Sequence, residues 1–311
     1  MTIPACSVPV LFIIFNRPDT TARVFEKIRQ AKPSRLYIAA DGPREGREDD
    51  IQSCQETRAI TEQIDWDAEV FRDFSEKNLG CRDRVISALN WIFSQEERAI
   101  ILEDDCVPHP SFFRFCEELL ERYRDDRRVM SITGSNPQGD RKRRNQDSYF
   151  FSYFPYIWGW ATWRRAWHLF DSELKDWPEV KKDKWLVDLF GQRSTAKIWE
   201  NILNARIERS GKASAWDPHW KYSCFVQSAF CIIPSVNLIT NIGFGETATH
   251  TKQSIVYNAN MPTEEMRFPL VEPRCMIRDR DVERFIQKKL VTPFHVRARR
   301  KLLKPFARFF K

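Results

Sequence analysis

Glycine is scarce, at 10 of 311 residues, and none falls in a phosphate-cradling arrangement. There is no GxGxxG, no GxxxxGK(S/T) and no GxSxG. This argues against a Rossmann-type dinucleotide loop, a P-loop and a nucleophile elbow. Long apolar runs are also missing. The longest, Val8 to Phe15, is far short of the roughly 20 residues a membrane-spanning helix needs. The N-terminal MTIPACSVPV lacks the basic start and apolar stretch of a secretory signal. The eight cysteines, at 6, 54, 81, 106, 116, 224, 231 and 275, form no CxxC pair. They read as small apolar residues of a reducing cytoplasm rather than as a zinc site. Acids are absent from Arg284 to Lys311, where ten Lys/Arg lie. The formal charge of +7 therefore belongs to that segment, and the remainder holds 40 bases against 43 acids. The chain is 42% apolar with 41 aromatic residues, enough for a sizeable core.

The first half alternates strand and helix signals. Val8–Phe15 reads as a strand buried on both faces, ended by Asn16-Arg17-Pro18-Asp19. Asp19 or Thr20 would cap a helix bearing Val24, Phe25, Ile28 and Ala31 on one face. Leu36–Ala40 is a second strand, broken by the turn Asp41-Gly42-Pro43. Residues 44–65 read as a solvated helix and Glu69–Phe71 as a strand. Val85, Ile86, Leu89, Ile92 and Phe93 mark another helix. Ala99–Leu102 is a strand with Glu103-Asp104-Asp105 just past its end. Ser111 would cap a helix with Phe112, Phe115, Cys116, Leu119 and Tyr123 on one side, and Val129–Thr133 is the next strand. Such alternation predicts an α/β fold, a Rossmann-like and mostly parallel central sheet flanked by helices. Ligands of such sheets bind beyond the carboxyl ends of the strands. Arg17, Asp41 and the acidic triplet all lie there.

The pattern changes after residue 140. Arg141-Lys142-Arg143-Arg144 reads as an exposed loop. Residues 149–170 hold 11 aromatics, mostly suited to core packing. Residues 171–222 read as irregular helices, and Phe230–Ile233 and Val236–Ile239 as strands. Gly243-Phe244-Gly245 reads as a turn. The chain divides into a donor-binding half (1–140), an acceptor-side half of the same domain (141–283) and a basic amphipathic tail (284–311).

Glu103-Asp104-Asp105 carries the sharpest chemistry. Three adjacent carboxylates beside a buried strand repel one another, and a divalent cation relieves that cost. Mn²⁺ or Mg²⁺ suits hard carboxylate oxygens, with substrate phosphates and water completing the shell. The same acids could instead favour a helix N-terminus. Asp41 suits a ligand or an ordinary turn. Arg17 suits a phosphate or the surface. In Trp216-Asp217-Pro218-His219-Trp220, two indoles could desolvate Asp217 into a better general base and pack on a substrate ring; Asp217 could equally make a turn before Pro218. His250 is either a second metal ligand or a surface histidine.

These motifs, taken in order, resemble the GT-A nucleotide-sugar glycosyltransferases. The likeness is greatest to the β-1,2-N-acetylglucosaminyltransferase I family and to bacterial family 2 glycosyltransferases. It runs from Val8–Arg17 through Asp41, Glu103-Asp104-Asp105, Val107-Pro108, Phe112-Phe113, Phe154–Trp160 and Trp216-Asp217 to Thr249-His250, covering about residues 6–252. The resemblance implies that Arg17 meets the donor phosphates and that Asp41 binds the nucleotide's base or ribose. Glu103 would touch the donor sugar, Asp104 the ribose and Asp105 the metal. Asp217 would deprotonate the acceptor hydroxyl for an inverting, in-line attack. Where the family has adjacent acids after its Trp, Pro218 and His219 follow here, so His219 is the alternative base. Trp160, Trp216 and His219 are expected at an acceptor pocket. The implied partners are a nucleotide-sugar donor, most simply a UDP-sugar, and a glycan or glycolipid acceptor. A nucleotidyl- or phosphotransferase could use the same acidic site, as could a non-catalytic sugar- or nucleotide-binding module.

The tail combines Arg297, Arg299, Arg300 and Lys301 with Phe306, Phe309 and Phe310. Cations beside Phe and Leu in short amphipathic pieces suit an anionic membrane surface. No nucleic acid is expected. The sequence thus predicts a peripheral protein on the cytoplasmic face of the cell membrane, in surface polysaccharide synthesis.

Overall fold

A computed structural model describes residues 5–139, 146–208, 215–244 and 260–289. The loop Arg141–Arg144, His250 and the residues of the tail from 290 onward lie outside the described residues. The order of elements is β1 (Val10–Ile14), α1 (Pro18–Ala31), β2 (Arg35–Ala40), α2 (Glu48–Ile60), β3 (Glu69–Phe74), α3 (Gly80–Gln95) and β4 (Arg98–Glu103). Then come β5 (Cys106–Pro108), α4 (Ser111–Arg122), β6 (Val129–Thr133), β7 (Tyr149–Ser152) and β8 (Trp160–Trp163). Short helices α5 (Arg164–Trp167), α6 (Trp177–Val180) and α7 (Trp185–Phe190) lead to α8 (Arg193–Glu208) and α9 (Asp217–Val226). Strands β9 (Phe230–Pro234) and β10 (Ile239–Asn241) follow, and residues 280–289 are helical.

One eight-stranded sheet in the order β3-β2-β1-β4-β8-β6-β9-β7 forms the centre. Only β8 and β7 run against the others. β1 shows why the sheet is covered on both faces. Its alternate residues Val10, Phe12 and Ile14 enter one apolar cluster, with α1 and α4. Leu11 and Ile13 enter the other, with α3, α5 and α9. A strand with both faces dry reads as a continuous apolar run, which is why it stood out in the sequence. Burying each such side chain contributes on the order of 2 kcal/mol before entropy is counted.

The aromatic segment holds the largest departure from expectation. Tyr149–Ser152 and Trp160–Trp163 are strands, fully buried and antiparallel to their neighbours. Each has only four residues, and no polar break marks its ends in this aromatic-rich stretch. Val236–Ile239 is not a strand; β10 starts at Ile239 and pairs with β5. The expected side-chain caps are absent too. α1 begins at Pro18 after Arg17 and α4 begins at Ser111 after Pro110, neither with a side-chain cap bond. The Ser111 hydroxyl instead meets His109 Nδ1 at 2.8 Å and accepts from Met266 N at 3.0 Å. All eight cysteines are free, six of them buried. The helix 280–289 sets Val282 and Ile286 into a third cluster with α7, α8 and α9. The cationic segment therefore starts inside a packed helix rather than beyond it.

Among the described residues no helix is long and apolar enough to cross a membrane.

Candidate active site

The register of the parallel strands builds the site. Ile14 lies opposite Ala40, and Ile13 opposite Glu103. The carboxyl ends of β1, β2 and β4 are thus level. The residues just beyond them, Phe15 to Arg17, Asp41 to Arg44 and Asp104-Asp105, share one edge. A cavity of about 630 Å³ opens there, with Arg17, Asp41, Glu103, Asp104, Asp105 and Asp217 all on its wall.

Glu103 is the last residue of β4 rather than the first beyond it. Asp104 is buried, and its Oδ2 accepts the Phe15 N–H at 3.2 Å while Oδ1 takes Arg17. Arg17 Nη1 also reaches Asp105 Oδ2 at 3.1 Å. One guanidinium therefore serves two carboxylates and stays charged at any working pH. Among the described residues, Glu103 forms no such ion pair, although Arg17 tempers its charge from nearby. Burial, and then Asp105 and Asp104, push Glu103 well above the usual carboxylate range. Asp217 adds to this across the cavity. The thiol of Cys81 is also pushed up, by burial first and then by Glu103, Asp217, Asp105 and Asp104. These four acids lie close enough to act on one group.

Asp105 is positioned by the small β5–β10 ribbon. Asn241 pairs with Cys106, and Ile242 N donates to Asp105 O at 2.9 Å. Asn241 Nδ2 approaches Asp105 Oδ1 at 3.4 Å. A Cβ at Gly243 would fall 2.0 Å from Asp105 Oδ2, so only glycine lets the backbone come this near. Among the described residues no three His, Cys, Asp or Glu side chains form a cation cage. The donor set fits a different kind of site. A hard carboxylate oxygen stands on the wall of a cavity with more carboxylates than cations. A divalent ion there would take one protein ligand and fill its shell from phosphate and water.

Asp41 turns out to have a second occupation. Its Oδ1 accepts from Gly42 N at 2.9 Å and Leu79 N at 2.8 Å. Its Oδ2 accepts from Gly80 N at 3.0 Å and Asn78 Nδ2 at 3.1 Å. Four donors fill the roughly four lone-pair sites of a carboxylate. Asp41 thus caps the start of α3 while bordering the cavity, and it has little left to offer a ribose. Asp104 is less fully engaged, with Phe15 N on one oxygen and Arg17 on the other.

Asp217 is the first residue of α9, and its Oδ2 accepts from Lys221 Nζ at 2.6 Å, one turn along the helix. The flanking indoles do not sandwich it. Trp216 and Trp220 pack on Trp160 at 5.7 and 5.4 Å between ring centroids. Trp160 is 1% exposed and Trp216 2%. The expectation for Trp160 is corrected, because its ring is spent on packing in the core, whereas Trp216 lies on the cavity as expected but with little of its ring exposed. Trp216 backs the cavity wall, and Trp160 does not border it. His219 is also corrected. It is buried, does not border the cavity, and its Nδ1 has no partner among the described residues. Burial, then Arg82, holds its imidazole below the ordinary histidine value.

The structure adds residues the sequence reading passed over. Lys221 was legible as the i+4 partner of Asp217. Asn78 and Cys81 carried no signal. Arg44 is fixed over Phe15, 5.6 Å from its ring, by a double hydrogen bond to the buried Asp50 at 2.5 and 2.7 Å. Those bonds hold Asp50 down at about 2.

Residues 2–211 match the GNT-I family. No curated protein matches the chain. Among solved structures, it is similar to UDP-glucose pyrophosphorylase complexed with UDP-glucose, at 10% identity and TM-score 0.32, over 52% of this chain and 78% of that one. The family match spans more than half of the sequence and takes in β1, Asp41, the acidic triplet and the aromatic strands. The chain belongs to the GNT-I family of GT-A nucleotide-sugar glycosyltransferases.

Proposed function

We propose that this glycosyltransferase is metal-dependent and inverting, and that it moves a hexosyl or N-acetylhexosaminyl group from a UDP-sugar to a hydroxyl of a glycan or glycolipid. The observation that carries the reading is the pairing of two features in one cavity. Arg17 and Asp105 stand at the carboxyl edge of the parallel strands, and Asp217, the first residue of α9, borders the same cavity.

Arg17 binds the diphosphate of the donor, its planar fork suited to two oxygens at once. Asp105 would hold a Mn²⁺ or Mg²⁺ ion, which when bound supplies positive charge against that developing on the departing nucleoside diphosphate. Asp41 acts as a positioning residue, fixing the start of α3 against the nucleotide side of the cavity. Glu103 faces the donor sugar. Asp217 takes the proton of the acceptor hydroxyl as that oxygen attacks the anomeric carbon from the side opposite the leaving group. Lys221 holds one carboxylate oxygen and fixes the Asp217 rotamer.

The segment from 290 to 311 carries Arg297, Arg299, Arg300, Lys301, Phe306, Phe309 and Phe310. Its composition supports docking on an anionic membrane surface, with a role in surface polysaccharide synthesis at the cytoplasmic face. His250 remains the candidate second metal ligand.

Calorimetric titration of UDP with and without Mn²⁺ tests the donor site. We expect affinity at least tenfold higher with the ion, and Asp105→Ala should remove that difference. Equal affinity under both conditions, or an unchanged ion dependence in the variant, overturns the metal assignment. Deleting residues 290–311 should release the protein from phosphatidylserine vesicles, and retained binding overturns the docking proposal.

A further inference from the structure

We propose that Trp158 and Phe244 form a stacking corner for the C–H face of a pyranose ring, so that this end of the cavity selects a ring-form sugar. The inference rests on the glycosyltransferase reading above and names the chemistry of its sugar end.

The sheet order sets where the corner lies. Along the site edge the strands run β2, β1, β4, β8. Because β8 is antiparallel to β4, its amino end meets the carboxyl edge, with Trp160 paired to Ile101. Asp41, Arg17, Asp105 and Trp158 therefore follow one another along that edge. Asp41 and Trp158 stand at opposite ends, with the proposed phosphate residues between them. A nucleotide sugar laid along this line, with its nucleoside toward Asp41, carries its sugar toward Trp158.

The corner is built rather than loosely exposed. Gly159 has φ +55°, and a Cβ there would lie 2.2 Å from Ile239 Cδ1. Its carbonyl accepts from Gly134 N at 2.7 Å, and the Trp158 carbonyl accepts from Ser135 Oγ at 3.0 Å. The backbone behind the indole is thus tied to the end of β6. Phe244 follows Gly243, which abuts Asp105, so the second ring is anchored beside the proposed metal ligand. The rings meet edge to face, with centroids 5.4 Å apart and planes at 65°. Both are half-buried and both border the cavity.

Aromatic faces carry partial negative charge and attract the partly positive C–H groups of a saturated ring. A pyranose with equatorial hydroxyls presents such a face, while its rim stays available to Glu103 and Asp217. Few precisely placed polar groups beside an apolar wall is the usual make-up of a small-molecule site. The deeper indoles Trp160 and Trp216, at 1% and 2% exposure, cannot do this.

The sugar could be that of the donor or that of the acceptor, and two arms separate them. In the first, UDP and UDP-glucose are titrated calorimetrically with Mn²⁺ into the full chain and into Trp158→Ala, Phe244→Ala and Trp158→Phe. A tenfold or greater loss for UDP-glucose, with UDP within twofold, supports the corner and assigns it to the donor sugar. In the second, saturation-transfer NMR follows methyl β-D-glucopyranoside on UDP-saturated protein. Loss of transfer to its axial protons in Trp158→Ala, with UDP-glucose affinity unchanged, supports the corner and assigns it to the acceptor. Trp158→Phe should stay within about threefold of the parent in either arm, which guards against a folding defect in the alanine variants. No change in either arm overturns the proposal. So does an equal loss for UDP and UDP-glucose, which would place the rings on the nucleoside. If the parent protein binds no UDP, the donor reading itself fails, and transfer to the glycoside on the unliganded protein then decides the corner alone.

Discussion

Replacing Asp41 with alanine removes the acceptor of four N–H groups at once. Two are backbone donors at the start of α3, Leu79 N just before it at 2.8 Å and Gly80 N at 3.0 Å. One is Gly42 N at 2.9 Å and one is Asn78 Nδ2 at 3.1 Å. A hydrogen bond to a charged group contributes about 1.5–3 kcal/mol net, and a lost helix cap costs about 1 kcal/mol. The cavity lets water reach some of the freed donors, which lowers the sum. Replacement is hindered on the other side, because the turn packs so tightly that a Cβ at Gly42 would lie 2.5 Å from the Lys77 carbonyl carbon. We expect Asp41→Ala to lose about 3–4 kcal/mol of unfolding free energy. Asp41→Asn should lose about half as much, since its carbonyl can still serve Gly42 and Leu79 while its amide opposes Gly80 and Asn78. Urea unfolding followed by tryptophan fluorescence reads both. A loss below about 1 kcal/mol for the alanine variant, with UDP affinity falling tenfold, would refute the capping account. It would return Asp41 to the role of a ligand.

Gly243→Ala should push the Asp105 carboxylate aside and lower Mn²⁺-dependent UDP affinity at least tenfold while the melting temperature moves by no more than a few degrees; unchanged affinity would show that the close approach is not needed. Asp50 gives a pH prediction. Its pKa is depressed in the folded state, so its stabilisation is present above the unfolded value near 4 and is lost as pH falls through about 2. Allowing for solvent screening, Asp50→Asn should cost about 1–2 kcal/mol at pH 6 and progressively less from pH 4 to 2 in paired urea titrations. A cost independent of pH would mean that the Arg44 ion pair is not its source.

What the sequence disclosed follows from where its signals were local. Val8–Phe15, Leu36–Ala40 and Ala99–Leu102 are apolar runs ending in polar residues, and each pattern survives as a strand feeding the site. The parallel register that brings Arg17, Asp41 and Asp105 to one edge follows from strand–helix alternation alone. β7 and β8 were hidden because each has only four residues and both lie in one aromatic-rich stretch, where no polar break marks a strand's ends. The four donors on Asp41 come from residues 42, 78, 79 and 80, and all but the first are distant in sequence. Trp216 and Asp217 both border the cavity, but the indole is almost wholly covered by its neighbours. The indole spends most of its surface on Trp160 and Trp167, while the carboxylate of Asp217 is left to the cavity. Of the aromatic residues that border the cavity, Trp158 and Phe244 flank glycines whose importance only the packing reveals.

The central claim is that one cavity holds the donor at Arg17 and Asp105 and removes the acceptor proton at Asp217. The most direct measurement is UDP release from UDP-sugars with Mn²⁺ and a glycolipid extract, run beside UDP calorimetry for the parent chain and Asp217→Asn. We expect UDP affinity within twofold of the parent and turnover reduced at least 100-fold in the variant, on the order of a lost general base. Full turnover in Asp217→Asn would contradict it.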